Sequence, residues 1–485
     1  MNKTASACDN HNQAVLASPD FQNARLSFVE QYPSYPKTES LDAIRRSDYA
    51  VLDDQQQVYL DYTGSGLYAA SQVAQHLSLL GCHVFGNPHS SNPTSRAMTE
   101  IIERVRASVL SYFNASPDEY ECIFTANASG ALKLVGESYP FAAGGTYLLT
   151  FDNHNSVNGI REYARARGGR VQYVPVLPPE MRLNQDKVTA MLQDRDPQAE
   201  NLFAFPAQSN FSGVQHDLDW VNQAQALGWD VLLDCAAFVP TNRLDLQEIH
   251  PDFVTISFYK MFGYPTGVGA LLARRPALTK LKRPWFAGGT ITVASVQGDK
   301  YFLHEGAEGF EDGTLNFLTL PAVEIGLQHL NTIGIDLIHE RVRCLTGWLL
   351  ESLHALEHAN GKPLVKIYGP LDTLKRGGTI TFNLFGQDGH FIDHVYVEQC
   401  ANALNISLRT GCFCNPGGGE LALGLSSGEL LTCFGMKPRM VYEDFRRCID
   451  DKSTGAVRIS VGLVSTFEDV YVFLQFIRQF LNREQ

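Results

Sequence analysis

The sequence predicts an α/β protein with a large domain on a mostly parallel sheet and a smaller C-terminal α+β domain. Two observations predict it. Short apolar runs alternate with longer amphipathic stretches from Val58 onward, and this rhythm changes near residue 325. The runs are Tyr147–Phe151, Val171–Val176, Leu202–Phe205, Val231–Leu233, Phe253–Ile256 and Val268–Leu272. Each is rich in β-branched or aromatic residues and ends in polar or glycine-containing sequence, the pattern of a strand buried on both faces. Stretches between them, such as Asp217–Leu227, read as helices. Strands alternating with helices imply a parallel sheet covered on both sides.

The elements divide as residues 1–57, 58–325 and 326–485. The first segment reads as an arm or a contribution to the small domain: Pro33 and Pro36 interrupt it and no long apolar period forms. After the large domain, Pro321–Leu356 reads as long helices. A second alternating set follows, with strands at Thr379–Leu384, Ile406–Arg409 and Ala456–Val461 and a helix at His394–Leu404. The chain closes on an amphipathic helix at Thr466–Leu481.

Composition bounds the function classes. The chain has 485 residues, 44% hydrophobic and 19% charged, with a net charge of −13. These values exclude a disordered or collagen-like chain and a small disulfide scaffold. The acidic balance argues against nucleic acid or an anionic membrane as the main partner. The sequence contains no run of eighteen apolar residues, and its first twenty residues are polar. The expectation is a cytoplasmic protein without a transmembrane helix or signal peptide. Its ten cysteines are then expected as reduced thiols.

Ligands of open parallel sheets bind beyond the carboxyl ends of the strands. Asp234 ends one predicted strand, Lys260 follows another, and Asn210 follows a third. An Asp and a Lys on successive strand ends suit pyridoxal phosphate. The amine forms a Schiff base with its aldehyde, and the carboxylate keeps the ring nitrogen protonated so that the ring stores electrons. Taken alone, Lys260 equally suits a surface lysine and Asp234 a helix N-cap. Ser129 and Gly130, in TANASGALKLV, open a predicted helix whose N–H groups suit either a phosphate or an ordinary cap. His154 lies just past a strand, where an imidazole can stack on a cofactor ring or serve as a hydrogen-bonded structural residue.

Residues 407–419, SLRTGCFCNPGGG, carry Arg409, the pair Cys412 and Cys414, and three glycines. A glycine-rich tail of this kind is expected to be mobile, so that a thiol on it can enter a site, take a group and carry it out. A zinc site is disfavoured, because no second Cys/His pair of matching spacing stands nearby. Cys82, Cys122, Cys344, Cys400 and Cys448 read as small apolar filler, and Cys235 as packing beside Asp234.

Together, YLDYTGSGLY, GNPHSSNPTSR, FDNHNSVNGIREYA, SFYKMFGYPTGVGALLA, FEDGTLNFL, RTGCFCNPG and GAVRISVGLVSTFEDV resemble the class V branch of fold-type I pyridoxal-phosphate enzymes. Within it the chain is most similar to the cysteine-desulfurase domain of molybdenum cofactor sulfurases. The resemblance implies the aspartate aminotransferase-like fold and a reaction in which L-cysteine yields L-alanine and a protein persulfide. It implies Lys260 as the Schiff-base lysine, Asp234 as the partner of the ring nitrogen, His154 as the stacking residue and Asn210 near cofactor and substrate. It places Ser129, Ser257 and Tyr259 at the phosphate, with Thr314 reaching it across a homodimer interface. Arg458 would hold the substrate carboxylate with support from Arg409, and Cys414 would form the persulfide.

The departures are also informative. Bacterial-type members often carry Gln where this chain has Ala237, and His where it has Tyr259. Plant and animal sulfurases commonly carry a further cysteine where this chain has Gly419. They also continue into a cofactor-binding domain, so a separate protein or small molecule is the expected sulfur acceptor here. Within the same cofactor chemistry the alternatives are a C–S lyase, selenocysteine lyase, epimerase or aminotransferase. Outside it, the alternative is a non-enzymatic partner-binding scaffold.

Overall fold

The computed structural model describes residues 12–436 and 455–483. Its centre is a seven-stranded sheet of Tyr120–Thr125 (β1), Thr146–Thr150 (β2), Arg170–Val174 (β3), Leu202–Pro206 (β4), Asp230–Asp234 (β5), Phe253–Ser257 (β6) and Gly269–Arg274 (β7). The spatial order is β1-β7-β6-β5-β4-β2-β3. β2 through β6 pair in parallel, whereas β7 runs antiparallel to both β6 and β1. Every residue of β2, β4, β5 and β6 is buried, which explains why these strands read as continuous apolar runs.

A second, antiparallel sheet of four strands follows in the order Val365–Tyr368, Thr379–Leu384, Ala456–Ser460 and Arg409–Gly411. The predicted strand at 406–409 is two short strands: Ile406–Ser407 pairs with Val58–Tyr59, and only Arg409–Gly411 joins this sheet. The long helices predicted over Pro321–Leu356 are Pro321–Ile333 and Ile335–His354, separated at Gly334, whose φ of +90° does not continue a helix.

Of the two readings of the N-terminal segment, the structure shows the contribution to the small domain. Pro19–Gln31 is a helix capped by Ser18, whose Oγ accepts the Phe21 N–H at 3.2 Å. Phe28 is fully buried and stacks on Phe467 at 4.4 Å between ring centres. Arg45 donates to Asp469 at 2.6 Å and to the Val464 carbonyl at 2.7 Å. The fully buried Arg341 donates to Thr38 Oγ1 at 2.7 Å and to Asp42 at 2.6 Å. These residues therefore join the core formed by Ile335–His354 and the last helix, Phe467–Arg478. Such contacts span over 300 residues of sequence and leave no local apolar period to read.

Two cysteine expectations are corrected. Cys433 is disulfide-bonded, so the set is not uniformly reduced. The redox argument predicts the average thiol, whereas pairing depends on which sulfurs the fold brings together. Cys82 is exposed at the end of the helix Ala70–Cys82 and is not filler, while Cys400 is half-buried. Cys122, Cys235 and Cys344 are buried, and Cys448 lies outside the described residues. Among the described residues, no helix is long and apolar enough to cross a membrane.

Candidate active site

The carboxyl ends of β4, β5 and β6 open into a cavity of about 400 Å³. Ser129, His154, Asn210, Asp234, Ser257, Tyr259 and Lys260 all line it, with Gln208, Ala237 and Gly267 completing parts of the wall. Seven of the residues singled out in the sequence thus converge from segments spread over 132 positions, Ser129 to Lys260.

Local geometry explains each placement. β6 ends at Ser257 and the chain turns directly into the short helix Phe258–Phe262, so Lys260 sits on a helical turn rather than at the strand end itself. Gly263 closes that helix with φ +75°, and a Cβ there would strike the backbone of Leu67 and Tyr68. The Gly66 N–H donates to the Tyr259 carbonyl at 3.1 Å. The YLDYTGSGLY segment therefore buttresses the lysine turn. Asp234 does not cap a helix; its Oδ1 accepts the Ala236 N–H at 3.1 Å and the Thr255 hydroxyl at 3.2 Å. The helix Ala128–Ser138 points its N-terminus at the cavity and is capped by Asn127, whose Oδ1 accepts the Gly130 N–H at 2.9 Å. Ser129 Oγ lies 2.6 Å from Ser156 Oγ.

His154 faces the cavity and also makes a structural hydrogen bond. It lines the cavity, and its Nδ1 caps the turn Asn155–Asn158 by accepting the Ser156 N–H at 3.1 Å. Burial lowers the His154 pKa; Asp234 opposes the shift, while Lys260 and Arg458 reinforce it. Burial likewise lowers the Lys260 pKa, opposed by Asp234 and reinforced by Arg458 and Arg409. Both shifts favour the neutral base.

Arg458 and Arg409 meet on a residue that sequence reasoning left without a role. Asp61 accepts Arg458 Nη2 at 3.0 Å, Arg409 Nη2 at 2.6 Å and Arg409 Nε at 3.0 Å. Arg458 is buried and also donates to the Asn210 carbonyl at 3.1 Å, which links it to the cavity wall. Burial lowers the Arg458 pKa, and Asp61 counters that shift. The only sequence signal for Asp61 is its place in YLDYTGSGLY. A second overlooked pair is Asp152 and His216, both buried and 2.9 Å apart. Burial pushes the Asp152 carboxyl up, but His216 together with hydrogen bonds from Thr150 and the backbone makes the net shift downward.

Cys414 lies on a tight turn beside the cavity. The Asn415 N–H donates to the Cys412 carbonyl at 2.9 Å, and Phe413 and Cys414 between them have φ of +57° and +55°. Non-glycine residues in this region cost on the order of 1–3 kcal/mol each and persist only where the surroundings impose them. Here the Phe413 ring is buried against Phe211 at 5.6 Å and under the Arg458 guanidinium at 4.8 Å. Its carbonyl accepts Asn210 Nδ2 at 2.8 Å, and the Cys414 carbonyl accepts the Asn155 N–H at 2.7 Å. The Cys412 and Cys414 side chains remain exposed.

The glycines that follow do not form a loose tail. Pro416–Leu423 is a helix, and Gly417 to Gly419 are buried in its first turn. A Cβ on Gly417 would collide with the Phe151 carbonyl, and one on Gly418 would come within 2.9 Å of the Phe211 ring. Glycine serves close packing here, not freedom. Thr314 lies outside the Lys260 cavity, in an adjoining cavity of about 360 Å³ that shares the Ala126 and Gly267 walls, and it accepts Asn87 Nδ2 at 3.4 Å.

The chain is 36% identical to molybdenum cofactor sulfurase of Solanum lycopersicum over 94% of its own length and 60% of that protein. It is 39% identical to molybdenum cofactor sulfurase of Arabidopsis thaliana over 92% of its length and 58% of that protein. It thus spans about three-fifths of these relatives. The fold is similar to that of a cysteine desulfurase from Thermococcus onnurineus NA1, with a TM-score of 0.74 and 23% identity over 91% of this chain and 98% of that one. Residues 58–473 match the aminotransferase class-V family across both sheets and the Cys414 turn, and the chain belongs to that family.

Proposed function

We propose that this chain is a pyridoxal-phosphate-dependent cysteine desulfurase that takes sulfur from L-cysteine onto Cys414. The carrying observation is one cavity that gathers Lys260, Asp234, His154 and Asn210, with the exposed Cys414 tied to its wall through Asn210 and Asn155. The relatives named above support the reading.

The donor set fits pyridoxal phosphate. A half-buried lysine with a lowered pKa, a buried carboxylate and the N-terminus of an eleven-residue helix face one cavity of ligand size. When bound, the cofactor supplies an aldehyde and a ring that holds negative charge. Lys260 Nζ would hold the aldehyde, Asp234 the ring nitrogen and His154 the ring face. Ser129, Ser257, Tyr259 and the helix N–H groups would hold the phosphate. Arg458 would take the substrate carboxylate, its guanidinium held by Asp61 and the Asn210 carbonyl.

Lys260, favoured as the neutral amine, takes the substrate Cα proton. The Cys414 thiolate then attacks the substrate sulfur. An S–S bond forms on Cys414 as the substrate Cβ–S bond breaks, and the carbon skeleton keeps the electron pair, gains protons and leaves as alanine. The sulfur then passes to an acceptor such as molybdenum cofactor, another protein or a small molecule. The reading includes a homodimer in which Thr314 serves the partner's cavity. The apolar residues exposed on and beside the hairpin Ile291–Leu303, Val293, Val296, Phe302 and Trp285, support such a contact.

The test is mass spectrometry after incubation with cysteine. Wild type is expected to gain one sulfur on the peptide bearing Cys414 and to form alanine. Cys414→Ala is expected to keep the cofactor absorbance but to lose both. Alanine and sulfur at the normal rate from Cys414→Ala refute the role of the turn, and pyruvate in place of alanine indicates elimination instead.

A further inference from the structure

Asn415 is fully buried, and both ends of its amide are engaged. Nδ2 donates to the Asp152 carbonyl at 2.6 Å and to Asn210 Oδ1 at 2.9 Å, while Oδ1 accepts the Gly418 N–H at 2.9 Å. Asn210 closes the circuit by donating its own Nδ2 to the Phe413 carbonyl at 2.8 Å. One amide from the cavity wall and one from the cysteine turn thus grip each other on both sides of Cys414. The anchor behind them is firm, because Asp152 is paired with the buried His216.

We propose that Asn415 is a positioning residue for Cys414: through Asn210 and Asp152 it holds the left-handed Phe413–Cys414 turn in register with the cavity. The inference rests on the reading of Cys414 as the sulfur-accepting thiol. An N-cap role alone does not account for Asn415. Asp, Ser or Thr would cap the helix Pro416–Leu423 equally well. Only an amide supplies two N–H donors and an acceptor on one short side chain, and both of its donor contacts here are to oxygens. A carboxylate at this position keeps the cap toward Gly418 but sets oxygen against oxygen at Asp152 and Asn210.

Asn415→Asp in the full chain therefore separates the two roles. In the cofactor-free protein, amide exchange across residues 410–424 is expected to speed up by about tenfold or more, as for the loss of two hydrogen bonds. In the cofactor-loaded protein, the absorbance change on adding cysteine is expected at the wild-type rate. Persulfide formation on Cys414 in a single turnover is expected to slow by a similar factor. Asn415→Ser, which keeps the cap and one donor, is expected to fall between the two and replaces the Asp variant if that variant does not fold. Wild-type exchange and wild-type persulfide formation in the variants overturn the proposal. So does an equal loss of the absorbance change and of persulfide, which would place Asn415 in the service of the cavity rather than the turn. If wild type itself forms no persulfide on Cys414, the desulfurase reading fails, and unaltered exchange in the variant then separately refutes the hold on the turn.

Discussion

Asp61 binds two arginines at once, and removing it tests whether burial or distance sets the strength of each pair. The Arg409 contact is the shorter, 2.6 Å against 3.0 Å for Arg458. The Arg409 side chain, however, is 50% exposed and that of Arg458 only 3%. At an effective dielectric of about 20, unit charges about 4 Å apart attract by ~4 kcal/mol. Exposure reduces such a pair to about 0.2–1 kcal/mol, whereas stripping one partner from a buried pair costs about 3–5 kcal/mol. Asp61→Ala should therefore destabilise the cofactor-free protein by about 3–5 kcal/mol. In double-mutant cycles with alanine at each arginine, Asp61 and Arg458 should couple by about 2–3 kcal/mol, and Asp61 and Arg409 by under about 1 kcal/mol. Urea unfolding of the four variants in each cycle measures this. An Asp61–Arg409 coupling equal to or larger than the Asp61–Arg458 coupling would refute the argument that burial outweighs distance.

Lys260→Met should stabilise the cofactor-free fold most at low pH. The Lys260 pKa is lowered in the folded state, so the unfolded chain binds the extra proton between that pKa and the ordinary lysine value. Wild-type stability therefore rises with pH across that window and the advantage of the variant shrinks, which thermal melts from pH 6 to pH 10 would follow. Gly417→Ala should cost about 1–3 kcal/mol, because its methyl group meets the Phe151 carbonyl. Gly424→Ala, with φ +66° but open space around it, should cost only about 1 kcal/mol; unfolding midpoints of the two variants give the comparison. Phe28→Ala should cost about 3–5 kcal/mol in the same assay, since its ring is fully buried against Phe467. A loss below about 1 kcal/mol would return the N-terminal helix to the status of a loose arm.

The sequence by itself determined six of the seven strands of the large sheet, all but Tyr120–Thr125, and the polar residues at or just past their ends. A buried strand is a contiguous apolar run; Asp234 ends one, and Lys260 and Asn210 lie a few residues past two others. Short phrases also marked His154, Arg458 and Cys414 through the resemblance they carry, although distant segments supply the contacts that hold Arg458 and the Cys414 turn. Tertiary structure alone decided the rest. The antiparallel sense of β7, the junction of Asp61 with Arg458 across 397 positions and the packing of Phe28 on Phe467 leave no periodic trace. The glycines after Cys414 show the difference most sharply. Residue by residue they signify freedom, yet Phe151 and Phe211, brought in from distant segments, leave no room for a side chain at Gly417 and Gly418. Local conformational preference is carried by adjacent residues, whereas steric exclusion and charge pairing exist only once remote segments share the same space.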